Sequence, residues 1–481
     1  MKKPRVLLYN PRGESHILPL ALIHIGSMLP EFDVQVIDGR IEITPESTLA
    51  ELSDGAVCLG VTVLTGKPIL DALRASRAVK RRNPSLPVIW GGWHPSLLPE
   101  QCLASPAVDV CVSGQGEETF REIVQRLSAG QALDGVGGIA FKRDGVVVQN
   151  PPRPFQSVNS FPRADFGLVP MEKYFAHRKA RRLDYCSSQG CPFECAFCAD
   201  PMVYKQRWSG LAAPRVVAEL AEHKARYRLD QVFFNDDNFF TDLKRAEAIA
   251  RGLIDVKAKV QWFGTGRADL LCRMTPAQFD LMRESGCYKV NVGAESGSRE
   301  VLENIKKGTL VEEVIAAAEM LKRAGIGARF SFIAGFPNEP ASSLAETYRT
   351  VKALRKIDGG FETPIYFYAP YPGTELSTRM PALGFEPPKR LEDWEQVDLD
   401  HSIGPWISEP VRKFVPRYNF YIRHAFEPAS GGFGKRVARW FARKRVRFDF
   451  YRFDFERRLV DLSKRLRTGV EARQQPMIAE D

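Results

Sequence analysis

The chain has 481 residues, 44% of them hydrophobic and 26% charged, with a formal net charge of +10. These proportions are ordinary for a globular protein of about three domains, and no apolar run approaches the roughly 20 residues needed to cross a bilayer. Nine cysteines, an odd number, argue against a disulfide framework, so we expect a cytoplasmic protein rather than a secreted or membrane-spanning one.

The first region, residues 1–150, alternates short apolar strands with helical patterns. The predicted strands are 5–10, 33–37, 56–63, 87–90 and 109–113, with helices such as 68–81 and 119–128 between them. This alternation predicts an α/β fold with a doubly wound, Rossmann-like parallel sheet. A ligand of such a sheet binds beyond the carboxyl ends of the strands.

The residues that follow these strands are rich in glycine and small polar side chains. They are Asn10-Pro11-Arg12-Gly13, Thr62-Val63-Leu64-Thr65, Gly91-Gly92-Trp93-His94-Pro95 and Ser113-Gly114-Gln115-Gly116-Glu117. This set resembles the cobalamin-binding domain found upstream of many radical enzymes. The resemblance implies that Thr62 and Leu64 contact the nucleotide tail, and that Gly91 and Gly92 allow close approach of the ligand.

One feature of that family is degenerate here. The family's Asp-x-His-x-x-Gly, whose histidine binds cobalt from below, has only Glu14-Ser15-His16-Ile17-Leu18-Pro19 as its nearest match. We therefore predict cobalamin binding without a histidine ligand, and interpret His16 and His94 as loop residues. The alternative is a domain that keeps the fold without the cofactor. A nucleotide-binding glycine turn is disfavoured because Gly114 and Gly116 have no third glycine.

A proline-rich connector, residues 151–180, leads to a core at 181–380 with six strand–helix units. The predicted strands are 182–187, 231–234, 262–266, 289–292, 328–333 and 365–369. Six such units predict an open (β/α)6 barrel, and residues at the strand ends then converge on its mouth.

Three cysteines share the short loop after the first core strand, Cys191-Pro192-Phe193-Glu194-Cys195-Ala196-Phe197-Cys198. Three thiolates can each hold one iron of a four-iron four-sulfur (4Fe-4S) cluster, which leaves the fourth iron open. Zinc, the alternative, requires four ligands, and no second pair lies nearby. The spacing and the aromatic Phe197 resemble the radical S-adenosylmethionine (radical SAM) family. The expected metal ligands are Cys191, Cys195 and Cys198.

The resemblance implies that the open iron chelates SAM and that the reduced cluster cleaves it to a 5′-deoxyadenosyl radical. An external electron donor of flavodoxin or ferredoxin type is then required. Further contacts are implied at the ends of the second, fourth and fifth core strands, for the SAM amino group, the ribose diol and the adenine. The implied cofactor-binding residues are Phe197, Asp236, Asn238, Glu295, Ser296, Gly335 and Pro337.

The last region, residues 381–481, contains no chemical motif but has a strongly basic segment at 434–447. On a helix, Val437, Trp440 and Phe441 lie on one face with cations around them, a pattern typical of an interfacial membrane helix. The alternatives are a lid of aromatic residues docked on the barrel, with solvated arginines, and, less favoured, nucleic-acid binding. Residues 468–481 are predicted to be disordered.

Together these features predict a cobalamin-dependent radical SAM enzyme that functionalises an unactivated carbon, by methyl transfer to a small-molecule or lipid-like substrate. One alternative is a non-methylating oxidative cyclase or rearrangement enzyme, similar to the anaerobic porphyrin-ring cyclases. A third candidate, a tRNA methylthiotransferase, is weakened because the N-terminal region lacks cysteines for a second cluster.

Overall fold

Two parallel sheets form the framework of the chain, in a computed structural model that describes residues 3–13, 17–397, 404–426, 433–451 and 455–457. His16 and the segment 468–481, which was predicted to be disordered, lie outside the described residues. No helix among the described residues combines the length and the apolar character that crossing a membrane requires.

The first sheet has seven strands in the order β2-β1-β3-β4-β5-β6-β7, and its pairs are parallel as far as β5. Its strands are β1 (Arg5–Asn10), β2 (Asp33–Asp38), β3 (Ala56–Thr62), β4 (Val88–Gly91), β5 (Val110–Val112), β6 (Ile139–Arg143) and β7 (Val146–Gln149). Its helices are α1 (Leu20–Ser27), α2 (Pro45–Leu52), α3 (Pro68–Arg82), α4 (Trp93–Leu97), α5 (Pro99–Ala104) and α6 (Glu117–Ser128). The predicted doubly wound sheet is confirmed.

Strands β6 and β7 form an antiparallel hairpin on the edge of this sheet that the sequence analysis missed. The turn consists of Asp144 and Gly145, with φ of 50° and 79°. An Asp-Gly pair between apolar runs is a strong signal for a two-residue hairpin, because positive φ at both positions matches the twist of the strands. The signal was present in the sequence.

The second sheet has six parallel strands in the order β15-β14-β13-β12-β11-β8. The connector contains helix α7 (Met171–Arg178). The strands of the second sheet are β8 (Arg182–Tyr185), β11 (Gln231–Phe234), β12 (Gln261–Gly266), β13 (Cys287–Glu295), β14 (Gly327–Ala334) and β15 (Ile365–Phe367). A separate two-stranded antiparallel ribbon pairs β9 (Ser188–Gly190) with β10 (Trp208–Gly210). The helices are α8 (Asp200–Tyr204), α9 (Ala213–Tyr227), α10 (Leu243–Asp255), α11 (Ala268–Leu271), α12 (Pro276–Glu284), α13 (Arg299–Asn304), α14 (Val311–Arg323) and α15 (Ser343–Ile357). Because β8 and β15 are the two edges, the barrel is open, as predicted.

Each outer helix packs on the barrel through one apolar stripe. Helix α14 shows the pattern, since Val314, Ala317, Ala318 and Leu321 are all fully buried. These positions are separated by three, one and three residues, which places them on one face of a 3.6-residue helix. The charged residues of α14 fall outside this stripe, so its helical period fixes which face meets the strands.

Helix α16 (Glu409–Phe426) covers strand β15, which forms one edge of the barrel sheet. The side-chain amide of Asn419 accepts a hydrogen bond from the backbone N–H of Ile365 at 3.0 Å and donates one to the carbonyl oxygen of the same residue. Tyr418 bonds through its hydroxyl to Thr363, just before the strand. The amide of Asn419 therefore takes the place of a neighbouring strand at this edge.

Helix α17 (Phe433–Arg447) forms over the predicted basic segment. Val437, Trp440 and Phe441 lie at its surface, and the Trp440 side chain is 55% exposed. Phe448 is 68% exposed, so it does not dock on the barrel as a lid would require. Tyr451 is buried in the same core cluster as the barrel residues, and among the described aromatic residues of this segment it alone packs as the lid interpretation predicts.

The two sheets are held together by hydrogen bonds from side chains. Asp184 of β8 accepts a bond from the backbone N–H of Leu18 at 2.7 Å, and the hydroxyl of Tyr174 donates to Asp38 at 2.7 Å. The first bond joins the segment before α1 to strand β8, and the second joins the connector helix α7 to the end of β2.

Candidate active site

The loop of residues 191–198, called here the cluster loop, follows β9 at the carboxyl end of the barrel strands. Gly190, directly before the loop, has a φ of 76°. A Cβ at this position would lie 2.2 Å from the carbonyl oxygen of Arg207, so only glycine fits. The backbone N–H of Ala196 donates to Ile305 at 2.9 Å, and its carbonyl accepts from Leu376 at 3.0 Å. Backbone bonds from two other segments therefore hold the loop.

All three cysteines of the cluster loop are half-buried, and this shapes their chemistry. Burial raises the pKa of Cys191 to about 11 and also raises that of Cys198. Iron binds the thiolate, so coordination must offset the cost of ionising these thiols. Among the described residues, no three His, Cys, Asp or Glu side chains converge on a single-ion site, and a 4Fe-4S cluster does not need such convergence, because each thiolate binds a different iron.

Two cations lie beside Cys195, and the sequence analysis named neither. Nη1 of Arg267 donates to Sγ of Cys195 at 3.5 Å, and its guanidinium lies 3.8 Å from the centre of the Phe193 ring. The ammonium of Lys307 is buried, and although burial lowers its pKa, Glu295 and Cys195 together raise it. Two positively charged side chains therefore lie close to the sulfur of Cys195.

The residues after β11 separate into different roles. The carboxylate of Asp236 accepts four hydrogen bonds, from the backbone N–H and hydroxyl groups of Ser187 (2.6 and 2.6 Å) and Ser188 (3.2 and 2.8 Å). A carboxylate has about four acceptor positions, so Asp236 is saturated within the chain and positions the segment before the cluster loop. Both amide atoms of Asn238 are buried without a hydrogen-bond partner among the described residues, which fits a polar ligand at this place.

Asp237, between them, faces Asp200, which lies just beyond the cluster loop. Both carboxylate oxygens of Asp200 are buried. Burial, and then the charge of Asp237, raise the pKa of Asp200 to about 8. Two carboxyl groups that face each other hold one proton between them more readily than two negative charges. The sequence could have indicated this pair only through its closeness to the cysteines.

At the end of β13, Glu295 has a left-handed backbone with φ of 58°, and its carboxylate lies 2.7 Å from Nζ of Lys307. A Cβ on Gly293 would lie 2.4 Å from the Glu295 carboxylate, so glycine leaves it room. The hydroxyl of Ser296 accepts from the backbone N–H of Ser298 at 3.1 Å and lies 3.2 Å from the hydroxyl of Thr347. Ser296 therefore shapes the start of α13, whereas Glu295 presents the charge.

The turn after β14 meets both the cluster loop and the C-terminal region. Gly335 has φ of 83°, and its carbonyl accepts from Nε1 of Trp406 at 2.9 Å. The ring centroids of Phe197 and Phe336 are 5.8 Å apart in an edge-to-face contact. Pro337 accepts a long bond of 3.4 Å from the amide of Asn304. Trp406 is a contact that the sequence gave no reason to place here.

A cavity of about 240 Å³ lies between the carboxyl edge of the first sheet and the barrel mouth. All four predicted cobalamin contacts line it, namely Thr62, Leu64, Gly91 and Gly92, together with His24, Glu117, Tyr204, Asn235 and Asp237 among others. A Cβ on Gly91 would have open space around it, with Val112 nearest at 3.8 Å. Gly92 is required for another reason, because with φ of 102° its Cβ would lie 2.8 Å from the Val63 carbonyl.

The histidines of the first domain differ in their relation to this cavity. His94 is fully buried, with Nδ1 3.1 Å from the Thr65 hydroxyl and its ring edge-to-face with Trp394 at 5.4 Å. It packs within the chain, as predicted, and is not among the cavity-lining residues. His24 on α1 does line the cavity, and burial lowers its pKa to about 4, so its imidazole is neutral at pH 7. The sequence analysis did not single out His24.

The residues present fit both implied cofactors. Three cysteines without a fourth ligand suit a 4Fe-4S cluster with an open iron, and the unpartnered Asn238 lies after the neighbouring strand. The cavity has largely apolar walls, and its glycine edge leaves the backbone open to a ligand. These features define an enzyme with a cluster-binding barrel and an adjoining ligand-binding sheet.

Comparisons with known proteins agree with this class. The family model of the Radical SAM superfamily matches residues 185–351, and that of the B12 binding domain matches residues 4–124. The chain is 32% identical over 441 residues to the uncharacterized methyltransferase PH0819 of Pyrococcus horikoshii. This alignment covers 88% of this chain and 94% of that protein. The chain belongs to the radical SAM superfamily and carries a B12-binding domain, so its cofactors are SAM, a 4Fe-4S cluster and cobalamin.

Two further comparisons concern the alternatives and the fold. The chain is 27% identical over 327 residues to the anaerobic magnesium-protoporphyrin IX monomethyl ester cyclase of Rubrivivax gelatinosus, covering 66% of this chain and 57% of that protein. The structure of the cobalamin-dependent S-adenosylmethionine radical enzyme OxsB with aqua-cobalamin bound superposes with a TM-score of 0.72 at 19% identity, covering 97% of this chain and 75% of that one. At this identity the structure supports the fold alone.

Proposed function

We propose that this radical SAM enzyme transfers a methyl group to an unactivated carbon of a small-molecule or lipid-like substrate. The observation that supports it is the single cavity bordered by Gly91 on the first sheet and by Asn235 and Asp237 at the barrel mouth. When bound, the cluster and SAM supply a radical that removes hydrogen from carbon, and cobalamin supplies a methyl group. The source of the radical and the source of the methyl group would then both face this cavity, as methyl transfer requires.

The barrel residues take separate parts in this proposal. Cys191, Cys195 and Cys198 bind the cluster, and Asn238 offers its unpartnered amide to the amino acid end of SAM. Glu295, oriented by Lys307, accepts bonds from the ribose hydroxyls. The turn at Gly335 and Pro337 would border the adenine, and Phe197 of the cluster loop packs edge-to-face on Phe336 of that turn. We assign Asp236 and Ser296 to positioning, because their oxygens are already bonded within the chain.

The first sheet holds the second cofactor through backbone and apolar contacts. Thr62 and Leu64 follow β3, and the Leu64 side chain is 52% exposed. An exposed leucine bordering a cavity is stabilised when a flat ligand covers it, since burial of apolar area contributes about 25 cal/mol per Å². Gly91 leaves space for the ligand. Gly92 adopts the positive φ of the turn after β4, where the chain passes close to the backbone of Val63.

Turnover with SAM that carries a deuterated methyl group tests the reaction. Methyl transfer predicts a labelled product, formed together with S-adenosylhomocysteine and 5′-deoxyadenosine. A product without label, formed with deoxyadenosine alone, would contradict methyl transfer. Metabolites that change when the gene is deleted supply the candidate substrates for this assay.

The second candidate is a non-methylating oxidative cyclase or rearrangement. The similarity to the porphyrin-ring cyclase favours it, since that protein aligns with two thirds of this chain. The unlabelled product in the same assay would support it. A tRNA methylthiotransferase is disfavoured further, because Cys58, Cys102 and Cys111 are all fully buried in the core of the first domain, and Cys58 lies in a different core cluster from the other two.

We also propose two partners for this chemistry. The cluster needs an external one-electron donor, which we take to be a flavodoxin or ferredoxin type protein. The exposed Trp440 and Phe441 on α17, with cations beside them, support a peripheral contact with a membrane surface. This contact would bring the enzyme to a lipid-like substrate.

A further inference from the structure

A second cavity, of about 640 Å³, lies between the end of α15, the end of α16 and helix α17. Helix α15 runs back from the carboxyl end of β14 to the start of β15, so its last turns lie at the amino end of the barrel strands. The cluster loop lies at the carboxyl end. This cavity, called here the basic cleft, is therefore separate from the active site.

The lining of the basic cleft carries an excess of positive charge. Its cations are Lys352, Arg355, Lys356, Arg443 and Arg447, and its only lining carboxylate among the described residues is that of Asp449. Asp449 lies 3.4 Å from Nζ of Lys352 and 3.7 Å from Nη1 of Arg355. Five cations against one carboxylate leave four positive charges in one concave surface, which concentrates anions there.

Most of these cations are not neutralised by the chain. Lys356, Arg443 and Arg447 form no ion pair with any described residue, and all three are exposed. Cations in the last turn of a helix are stabilised by its dipole, which accounts for Lys356 and Arg447. That explanation does not cover Lys352 or Arg443, which precede the last turns of α15 and α17. An anion bound in the cleft would pair with these two side chains as well.

The walls of the cleft are held in place by hydrogen bonds between the helices. Arg355 donates to the carbonyl of Val446 and, at 3.3 Å, to the hydroxyl of Tyr451. Nε of Arg443 donates to the carbonyl of Ala425 at 3.1 Å, which leaves its Nη groups for a ligand. The hydroxyl of Tyr348 donates to Asp449. A preformed arrangement loses less entropy when it binds a ligand.

We propose that the basic cleft binds phosphate groups. Guanidinium groups bind two phosphate oxygens at once, and the cleft offers Arg443 and Arg447 on α17 facing Lys352 and Lys356 on α15. The same chemistry is found in a soluble phosphorylated compound and in a phospholipid headgroup. The exposed Trp440, Phe441 and Phe448 beside the cleft would enter the interface in the second case.

Binding of the full-length protein to two probes tests the proposal. The probes are inorganic pyrophosphate, followed by calorimetry, and sedimented vesicles of phosphatidylcholine with and without phosphatidylglycerol. The double variant Lys356→Gln with Arg447→Gln removes two exposed cations that form no ion pair with a described residue. The control is Lys244→Gln with Arg81→Gln, an equal charge change at two exposed positions on α10 and α3.

We expect the cleft variant to lose about tenfold or more in affinity, because two charge-assisted hydrogen bonds to the phosphate are removed, while the control keeps its affinity. Binding of pyrophosphate assigns a soluble ligand, and binding of anionic vesicles alone assigns a headgroup. Either result supports the cleft. Failure of the wild-type protein to bind both probes, or an equal loss in the cleft variant and the control, would overturn it. Melting temperatures confirm that the variants are folded.

Discussion

The guanidinium of Arg267 donates to the sulfur of Cys195 at 3.5 Å and stacks on Phe193 of the same loop at 3.8 Å. It is held there by the carboxylate of Asp269 at 2.9 Å and by the carbonyl of Lys307. Hydrogen bonds to cluster sulfurs, and positive charge near them, stabilise the reduced and more negative cluster. We therefore expect Arg267 to raise the reduction potential of a cluster held by this loop.

We predict that Arg267→Lys lowers the reduction potential. The variant keeps a cation beside Asp269 but loses the bond to sulfur, worth about 1 kcal/mol or about 40 mV for one electron. A redox titration followed by EPR measures the shift. Arg273→Lys, at an exposed arginine on the same segment, is the control, and an unchanged potential in Arg267→Lys would contradict the assigned role.

Changing Cys191, Cys195 and Cys198 together to Ala should abolish the cluster. The anaerobically reconstituted protein is expected to lose its iron, its visible absorption and its SAM cleavage at once. The matched control is Cys272→Ala, a half-buried thiol that bonds to the carbonyl of Glu313 at 3.3 Å and lies outside the cluster loop. A full complement of iron in the triple variant would refute the ligand assignment.

Gly91→Val should weaken cobalamin binding while leaving the fold intact. The added side chain has room within the protein, since Val112 is its nearest neighbour at 3.8 Å, and valine is favourable in a strand. It fills part of the cavity, and overpacking of about 1–3 kcal/mol predicts an affinity loss of about five- to 150-fold. Absorbance of bound cobalamin measures it. Gly359→Val, an open position elsewhere, is the control.

Cobalamin is expected to bind without a histidine ligand to cobalt. His94 packs against Thr65 and Trp394, so among the described residues of the first domain only His24 lines the cavity. The EPR spectrum of the Co(II) form should lack nitrogen hyperfine splitting, and His16→Ala should leave the spectrum and the affinity unchanged. Splitting that disappears in His16→Ala or in His24→Ala would identify that residue as a ligand instead.

The membrane contact predicts that Trp440→Ser with Phe441→Ser weakens binding to anionic vesicles. Both side chains are exposed, so the fold should not suffer, while each loses about 1.5–3 kcal/mol of apolar burial in the interface. Sedimentation at two ionic strengths should show the loss, with salt weakening the remaining attraction. Ile43→Ser, at the most exposed large apolar residue described, should have no effect.

The sequence predicted the features that depend on local pattern. Cysteine spacing indicates the cluster loop, and alternating strands and helices predict both parallel sheets, because these signals lie within a few residues of one another. It also located the polar residues after β11. It did not separate Asp236, saturated by Ser187 and Ser188, from Asp237, which faces Asp200. The side chains of consecutive residues such as Asp236 and Asp237 point in different directions. Which of the two faces the cluster loop depends on how the chain turns after β11, and that turn is set by tertiary contacts.

Contacts between distant segments lay beyond such reasoning. Arg267 reaches a cysteine 72 positions earlier, and Trp406 reaches Gly335 across 71 positions. An isolated arginine or tryptophan in a sequence carries no sign of its partner, because the chain between them can fold in many ways. The hairpin at Asp144 and Gly145 is different, since its turn signal was local and could have been read.

The amide of Asn419 that completes the edge of β15 also bears on how the protein can be dissected. A fragment that ends before α16 would retain every residue of the proposed cofactor sites, yet its last strand would present free backbone groups to other molecules. Such an edge recruits strands from neighbouring copies. Fragments cut at this boundary should therefore self-associate, and Asn419→Leu in the intact chain should reproduce part of that behaviour in light scattering.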